Sequence, residues 1–276
     1  MKNQKIKTSN IILHIVMFGL ALIWLYPYLW LFLASVKPSA EIYTRFLPSK
    51  FTLEHFKFIL ESAERMNRPF IRAFFNSLFV SVTVTVCVLI SSAIIAFALS
   101  KYRFKAREGI FNFLIFQMVF PGFMFTIPMY ILVRNLHLLN SYGALIIPFI
   151  MSSWGIFMMT QSFKGTPNDY IEAAKIDGAS DLFIIFRIML PLNNSVMAIV
   201  GLFTFIGIWD NFMWPLIVIQ DYYKMPLSVL LATFNHEYGA YIGPVMAGSV
   251  IQTIPMVLIF IIFRKAFLQG ISMSLK

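Results

Sequence analysis

Residues 172–191 read Glu172-Ala173-Ala174-Lys175-Ile176-Asp177-Gly178-Ala179-Ser180-Asp181-Leu182-Phe183-Ile184-Ile185-Phe186-Arg187-Ile188-Met189-Leu190-Pro191. In outline this is Glu-Ala-Ala, three residues, Gly178, nine residues, then Ile188-x-Leu190-Pro191, a polar stretch in a chain otherwise suited to lipid. Just before it, Thr166-Pro167-Asn168-Asp169 has the features of a helix start. Thr166 is placed to cap, Pro167 sits in the first turn where a missing N–H removes no hydrogen bond, and Asp169 faces the positive helix end. Asp177-Gly178 ends that helix, because glycine adopts the left-handed C-cap backbone without a Cβ clash. Ser180 caps a second helix that runs to Leu190 and is stopped by Pro191. The spacing therefore predicts an elbow of two short helices, held against a membrane face by the apolar run 182–190. Ala173 and Ala174 leave room for another backbone, and Glu172 offers one charge to an arginine or a capping group.

Composition places the rest of the chain in a membrane. Of 276 residues, 59% are hydrophobic and 12% charged, against about 45–50% apolar and about 25% charged in soluble domains. The mean hydropathy is +0.78, and a water-soluble fold could not cover that much apolar surface. A net charge of +10 would suggest nucleic acid in a polar protein. Here the basic residues lie mostly between apolar runs, where they set topology, so no nucleic-acid partner is expected. A single cysteine, Cys87, excludes an intrachain disulfide framework and a multi-cysteine metal site.

Six segments are long enough to cross a hydrocarbon core, near 11–36, 73–100, 110–133, 142–163, 193–219 and 243–263. The prediction is an all-α, polytopic membrane helical bundle in a single transmembrane domain over 1–276, with a connecting loop at 164–192. The first run follows Lys2, Lys5 and Lys7 but exceeds a signal-peptide core, so it is read as a span bent at Pro27. Alternate connections carry thirteen and nine basic residues, and seven of the nine lie in one long connection, 37–72. Both termini are therefore expected on the cytoplasmic side. Within the long connection, Phe56, Ile59, Leu60 and Ala63 recur at helical spacing, which predicts a helix lying along the outer membrane surface.

The spacing EAA-x3-G-x9-I-x-LP resembles the EAA loop of ABC importer permeases, and every position of that pattern is met. Asn76-Ser77, the run 96–104, Ile127-Pro128-Met129-Tyr130 and Trp209-Asp210-Asn211-Phe212-x-Trp214-Pro215-Leu216 are similar to the smaller permease of maltose-type carbohydrate importers. The tail 270–276 departs from relatives whose glycine-richer ends reach the ATPase. The resemblance implies a type I ABC importer permease fold in a bacterial or archaeal inner membrane, with Glu172, Ala173, Ala174, Asp177 and Gly178 forming a coupling helix that docks on a cytoplasmic ATPase dimer. It also implies a second homologous permease, an extracytoplasmic solute-binding protein, and a carbohydrate, sugar phosphate or polyol as solute. ATP and magnesium would belong to the ATPase, and no cofactor is expected in this chain.

Asp210 is an acid inside a predicted span, where burial costs about 2.5–3.5 kcal/mol on insertion scales. With Asn211, Trp209 and Trp214 it could hold a sugar in the path. Equally, the tryptophans could belong to an interfacial aromatic belt with Asp210 near water. Gln117 and Gln252 are expected to bond between helices. No phosphate-binding G-x4-G-K-[ST] motif occurs, and His14, His55, His137 and His236 form no catalytic or metal-ligand spacing. An ion-coupled carrier would explain Asp210 but not the elbow.

Overall fold

The computed structural model describes residues 8–62, 67–234 and 241–274, with side chains described over 12–61, 67–234 and 241–264. Lys2, Lys5, Lys7, Ala63 and His236, and the side chains of the 270–276 tail, lie outside the described residues. Every regular element among the described residues is helical, as lipid requires when the backbone must satisfy its own hydrogen bonds. Four helices are long and apolar enough to span: Ile12–Ser35, Phe70–Lys101, Tyr142–Lys164 and Ile242–Arg264. Two bent pairs, Arg107–Val119 with Gly122–Asn135 and Asp181–Leu192 with Asn194–Trp209, bring the number to six if each pair is one span.

The chain divides into two compact units. One comprises Met1–Phe70 and Leu231–Ile254, the other Ile71–Leu230 and Pro255–Lys276. In the first, the helix Thr8–Ser35 continues through Pro27. It leaves Ile23, Trp24 and the other apolar side chains over 12–29 open to the surroundings, while Leu33 and Ala34 near its end are buried. The segment expected to lie on the membrane surface is helical, Glu54–Lys57 followed by a π turn at Phe58–Ser62, but it packs into protein. His55 and Ile59 are buried, and His55 Nε2 lies 2.8 Å from the Lys37 carbonyl. A Cβ on Gly243 would come within 2.2 Å of the His55 ring, and one on Gly248 within 2.8 Å of Ile59 Cδ1. Lys37 is fully buried, its ammonium donating to the Arg45 carbonyl at 2.7 Å.

In the second unit, the second span, Phe70–Lys101, buries a stripe of small and β-branched residues including Ala73, Ser77, Ser81, Val84, Val88, Ser92 and Ala96. Small side chains let helices approach closely where lipid offers no hydrophobic drive for association. At Gly155 an added Cβ would meet Ser92 Oγ at 2.8 Å and Val200 Cγ1 at 3.2 Å, so the second, fourth and fifth spans cross at this point. Asn76 donates to the carbonyls of Tyr223 and Met225 at 2.9 and 3.1 Å. Ser77 Oγ accepts from the Leu227 N–H at 2.8 Å. The Asn76-Ser77 pair thus fastens the connection before the helix Leu227–Thr233.

Three predicted spans are interrupted. The third bends by 99° where Phe120-Pro121 separates its pieces, since proline supplies no N–H and disfavours helix in the residue before it. The fourth breaks after Ile147–Phe149 and restarts at Ser153, with Ser152 accepting from the Gly155 N–H at 3.1 Å. Ser91 of the second span donates to the freed Ile150 carbonyl at 2.9 Å. The fifth, expected as one run over 193–219, is the helix Asn194–Trp209, a turn, and a short helix Met213–Val218. The Gln117 expectation holds: its side-chain oxygen accepts from Ser153 at 2.8 Å.

Candidate functional site

The elbow after the fourth span consists of the helix Asp169–Ile176 and the helix Asp181–Leu192. Between them Gly178 has φ +79, the left-handed conformation its position predicts. The N–H groups of Gly178 and Ala179 return to the carbonyls of Lys175 and Ala174 at 3.0 and 2.9 Å. Ser180 caps the second helix, accepting from the Phe183 N–H at 3.3 Å.

Two local predictions fail for identifiable reasons. Thr166 does not cap the first helix, whose N-cap is Asn168 without a side-chain bond. Asn193 Nδ2 donates to Thr166 Oγ1 at 3.1 Å, and Lys101, ending the second span, donates to Asn168 Oδ1 at 2.9 Å and to the Thr166 carbonyl at 2.6 Å, so both side chains are engaged elsewhere. Pro191 does not stop the second helix, which continues through Leu192. A π turn at Ile185–Met189 precedes it, and Pro191 falls in the first positions of the restarted turn, where its missing N–H is tolerated.

The elbow has two faces. Ile171, Ala174, Ile184, Ile185 and Met189 are buried against this chain, while Glu172, Ala173, Lys175, Asp177 and Gly178 are exposed. The alanine pair is therefore split, Ala174 inward and Ala173 outward. Ile176 stands 86% exposed beside them, an apolar knob on a polar surface that a partner could cover. Exposed side chains also fasten the elbow to the residue that follows the second span. Tyr102 donates its hydroxyl to Asp181 Oδ2, and Lys175 lies 3.7 Å from Asp181 and 5.5 Å from the Tyr102 ring centre. The hydrogen bond to Asp181, partial burial and the Asp181 charge, in that order, raise the Tyr102 pKa above its ordinary value. Neither Lys101 nor Tyr102 stands out as a site residue in the sequence, although both lie in the 96–104 run.

Around Asp210 the structure separates what the sequence grouped. Asp210 ends the helix Asn194–Trp209 and is exposed, and Asn211 is half-buried beside it. Trp209 is buried, stacked on Phe205 at 5.7 Å with the Phe74 edge at 5.6 Å. Trp214 is buried as well, its indole N–H donating to the Ala144 carbonyl at 2.9 Å. Both indoles are wall residues whose faces are covered within this unit. A turn earlier, a cavity of about 250 Å³ is lined by Val84, Phe149, Trp154, Phe203, Thr204 and Ile208. Among the described residues no cluster of three metal-ligating side chains occurs.

Several long apolar helices, with a polar elbow between two of them, define a multi-pass membrane protein. Residues 88–273 match the family described as binding-protein-dependent transport system inner membrane component. The chain is 33% identical over 279 residues to the arabinooligosaccharides transport system permease of Halalkalibacterium halodurans, covering 98% of this chain and 99% of that one. It is 27% identical over 258 residues to the lactose transport system permease of Rhizobium radiobacter, covering 93% and 92%. Its fold superposes with TM-score 0.82 and 25% identity on a chain from the crystal structure of a bacterial ABC transporter that imports the acidic polysaccharide alginate, covering 97% and 99%. The chain belongs to the binding-protein-dependent transport system inner membrane component family: it is a type I ABC importer permease subunit, a multi-pass protein of the inner membrane. Work with an ATPase and a solute-binding protein follows from that membership.

Proposed function

We propose that this chain forms half of the path for a carbohydrate, paired with a second, homologous permease and driven by an ATPase dimer gripping the 169–192 elbow. The observation that carries the reading is the exposed face of Glu172, Ala173 and Ile176 on a helix whose start is bonded to Lys101 of the second span. The carbohydrate assignment is supported by relatives named for arabinooligosaccharides and lactose. Neither a sugar phosphate or polyol as solute nor an ion-coupled carrier is favoured. Both termini lie on the elbow's side of the membrane. The basic 101–107 connection supports this, because Lys101 bonds directly to the elbow.

ATP binding would close the ATPase dimer and displace the elbow as a rigid element between two arrangements. The solute, delivered by the binding protein, would pass Asp210 and Asn211 with Trp209 and Trp214 as the wall behind them. ATP and magnesium act on the partner. The test is co-purification of the ATPase with this chain in detergent, followed by uptake in proteoliposomes. Glu172→Ala and Gly178→Asp should insert normally yet lose uptake and ATPase stimulation. Full coupled uptake in both variants, or no ATPase retained by the unaltered chain, would refute the proposal.

A further inference from the structure

Asn193 sits at the 90° bend between the helix Asp181–Leu192 and the helix Asn194–Trp209. Its side chain is occupied on every side. The Ser162 hydroxyl, at the end of the fourth span, donates to Asn193 Oδ1 at 2.5 Å. Asn193 Nδ2 donates to Thr166 Oγ1 at 3.1 Å and to the Met189 carbonyl at 2.8 Å. Its backbone N–H is shared between the carbonyls of Met189 and Leu190, both at 3.1 Å. One amide therefore ties the foot of the fourth span, the entrance of the elbow and its exit. Through Thr166 the knot reaches Lys101 of the second span.

The surroundings suit a joint that changes arrangement. The knot borders a cavity of about 390 Å³ lined by Ser162, Thr166, Pro167, Tyr170, Asn193 and Ser195. Close-packed cores resist displacement, whereas directional bonds beside free volume can break and re-form as a set. The π turn Ile185–Met189 leads directly into the bend, and such turns are common where helices serve function.

We propose that Asn193 is the positioning residue that converts displacement of the elbow into rearrangement of the fourth and fifth spans. It acts through Ser162 and Thr166, contacts neither solute nor nucleotide, and rests on the docking role proposed for the elbow. Removing its bonds should leave the ATPase attached and hydrolysing while transport falls behind.

The experiment compares Asn193→Leu and Thr166→Val with the unaltered chain in the reconstituted complex, measuring hydrolysis stimulated by the binding protein and solute uptake in the same vesicles. Uptake per ATP should fall by about fivefold or more in both, the lower end of typical coupling between sites. Should Asn193→Leu fail to assemble, Thr166→Val, which removes one partner from an intact Asn193, decides alone. Uptake per ATP equal to that of the unaltered chain, or parallel losses of hydrolysis and uptake, would overturn the assignment. Failure of the docking reading is distinguishable, since the ATPase would then not co-purify even with the unaltered chain.

Discussion

Gly178 needs its identity for backbone reasons alone. No atom lies within 4 Å of a Cβ built there, yet φ is +79, so a side chain meets torsional strain of about 1–2 kcal/mol rather than a clash. Tyr102 is governed by charge. Its pKa is raised by Asp181, so the contact contributes fully below the unfolded value of about 10 and is lost as pH rises through the higher folded value. We expect the phenolate absorbance of the folded protein, minus that of Tyr102→Phe, to show one tyrosine ionising later than an ordinary one. A difference curve centred at the ordinary value would mean that the Asp181 bond does not hold. The Lys175–Asp181 pair is half exposed on both sides, and such pairs contribute about 0–1 kcal/mol.

At the scale of elements, the crossing of the second, fourth and fifth spans depends on Gly155, against which Ser92 and Val200 close at 2.8 and 3.2 Å. Gly155→Val should force these helices apart at a cost of about 1–3 kcal/mol, as overpacking does. The melting temperature of detergent-purified protein should fall. Gly207, on the fifth span, has nothing within 4 Å, so Gly207→Val should melt close to the unaltered chain. Equal melting of the two would show that the crossing is looser than these distances imply. The interrupted third and fourth spans follow the same physics: Pro121 supplies no backbone N–H at the first break, and at the second Ser91 bonds the Ile150 carbonyl that the helix leaves free.

For the whole molecule, outward-facing apolar surface is the norm and buried polar groups are the exception. The first span buries none of its most apolar window, which suits a lipid or subunit neighbour. Asp210 lies at the end of a helix, exposed within this chain and backed by two buried tryptophans. In the assembled importer, Asp210→Ala should alter uptake rate or solute range while the yield of complex stays unchanged. Unaltered rate and range would remove Asp210 from the path.

The amino-acid sequence by itself determined the membrane class and the elbow's hinge. Hydropathy, helical spacing and the conformation open to Gly178 are local properties, readable without partners. It also placed Ser180 as a cap, because capping spans only three residues. Only the tertiary structure decided that Thr166 answers to Lys101 and Asn193 instead of capping, that Ala173 and Ala174 face opposite ways, and that the tryptophans near Asp210 are packed walls. The first and last of those outcomes depend on side chains 27 to 135 positions apart in sequence, from Thr166 with Asn193 to Phe74 with Trp209. Which of several hydrogen-bonding or packing partners wins is settled only when the helices have docked.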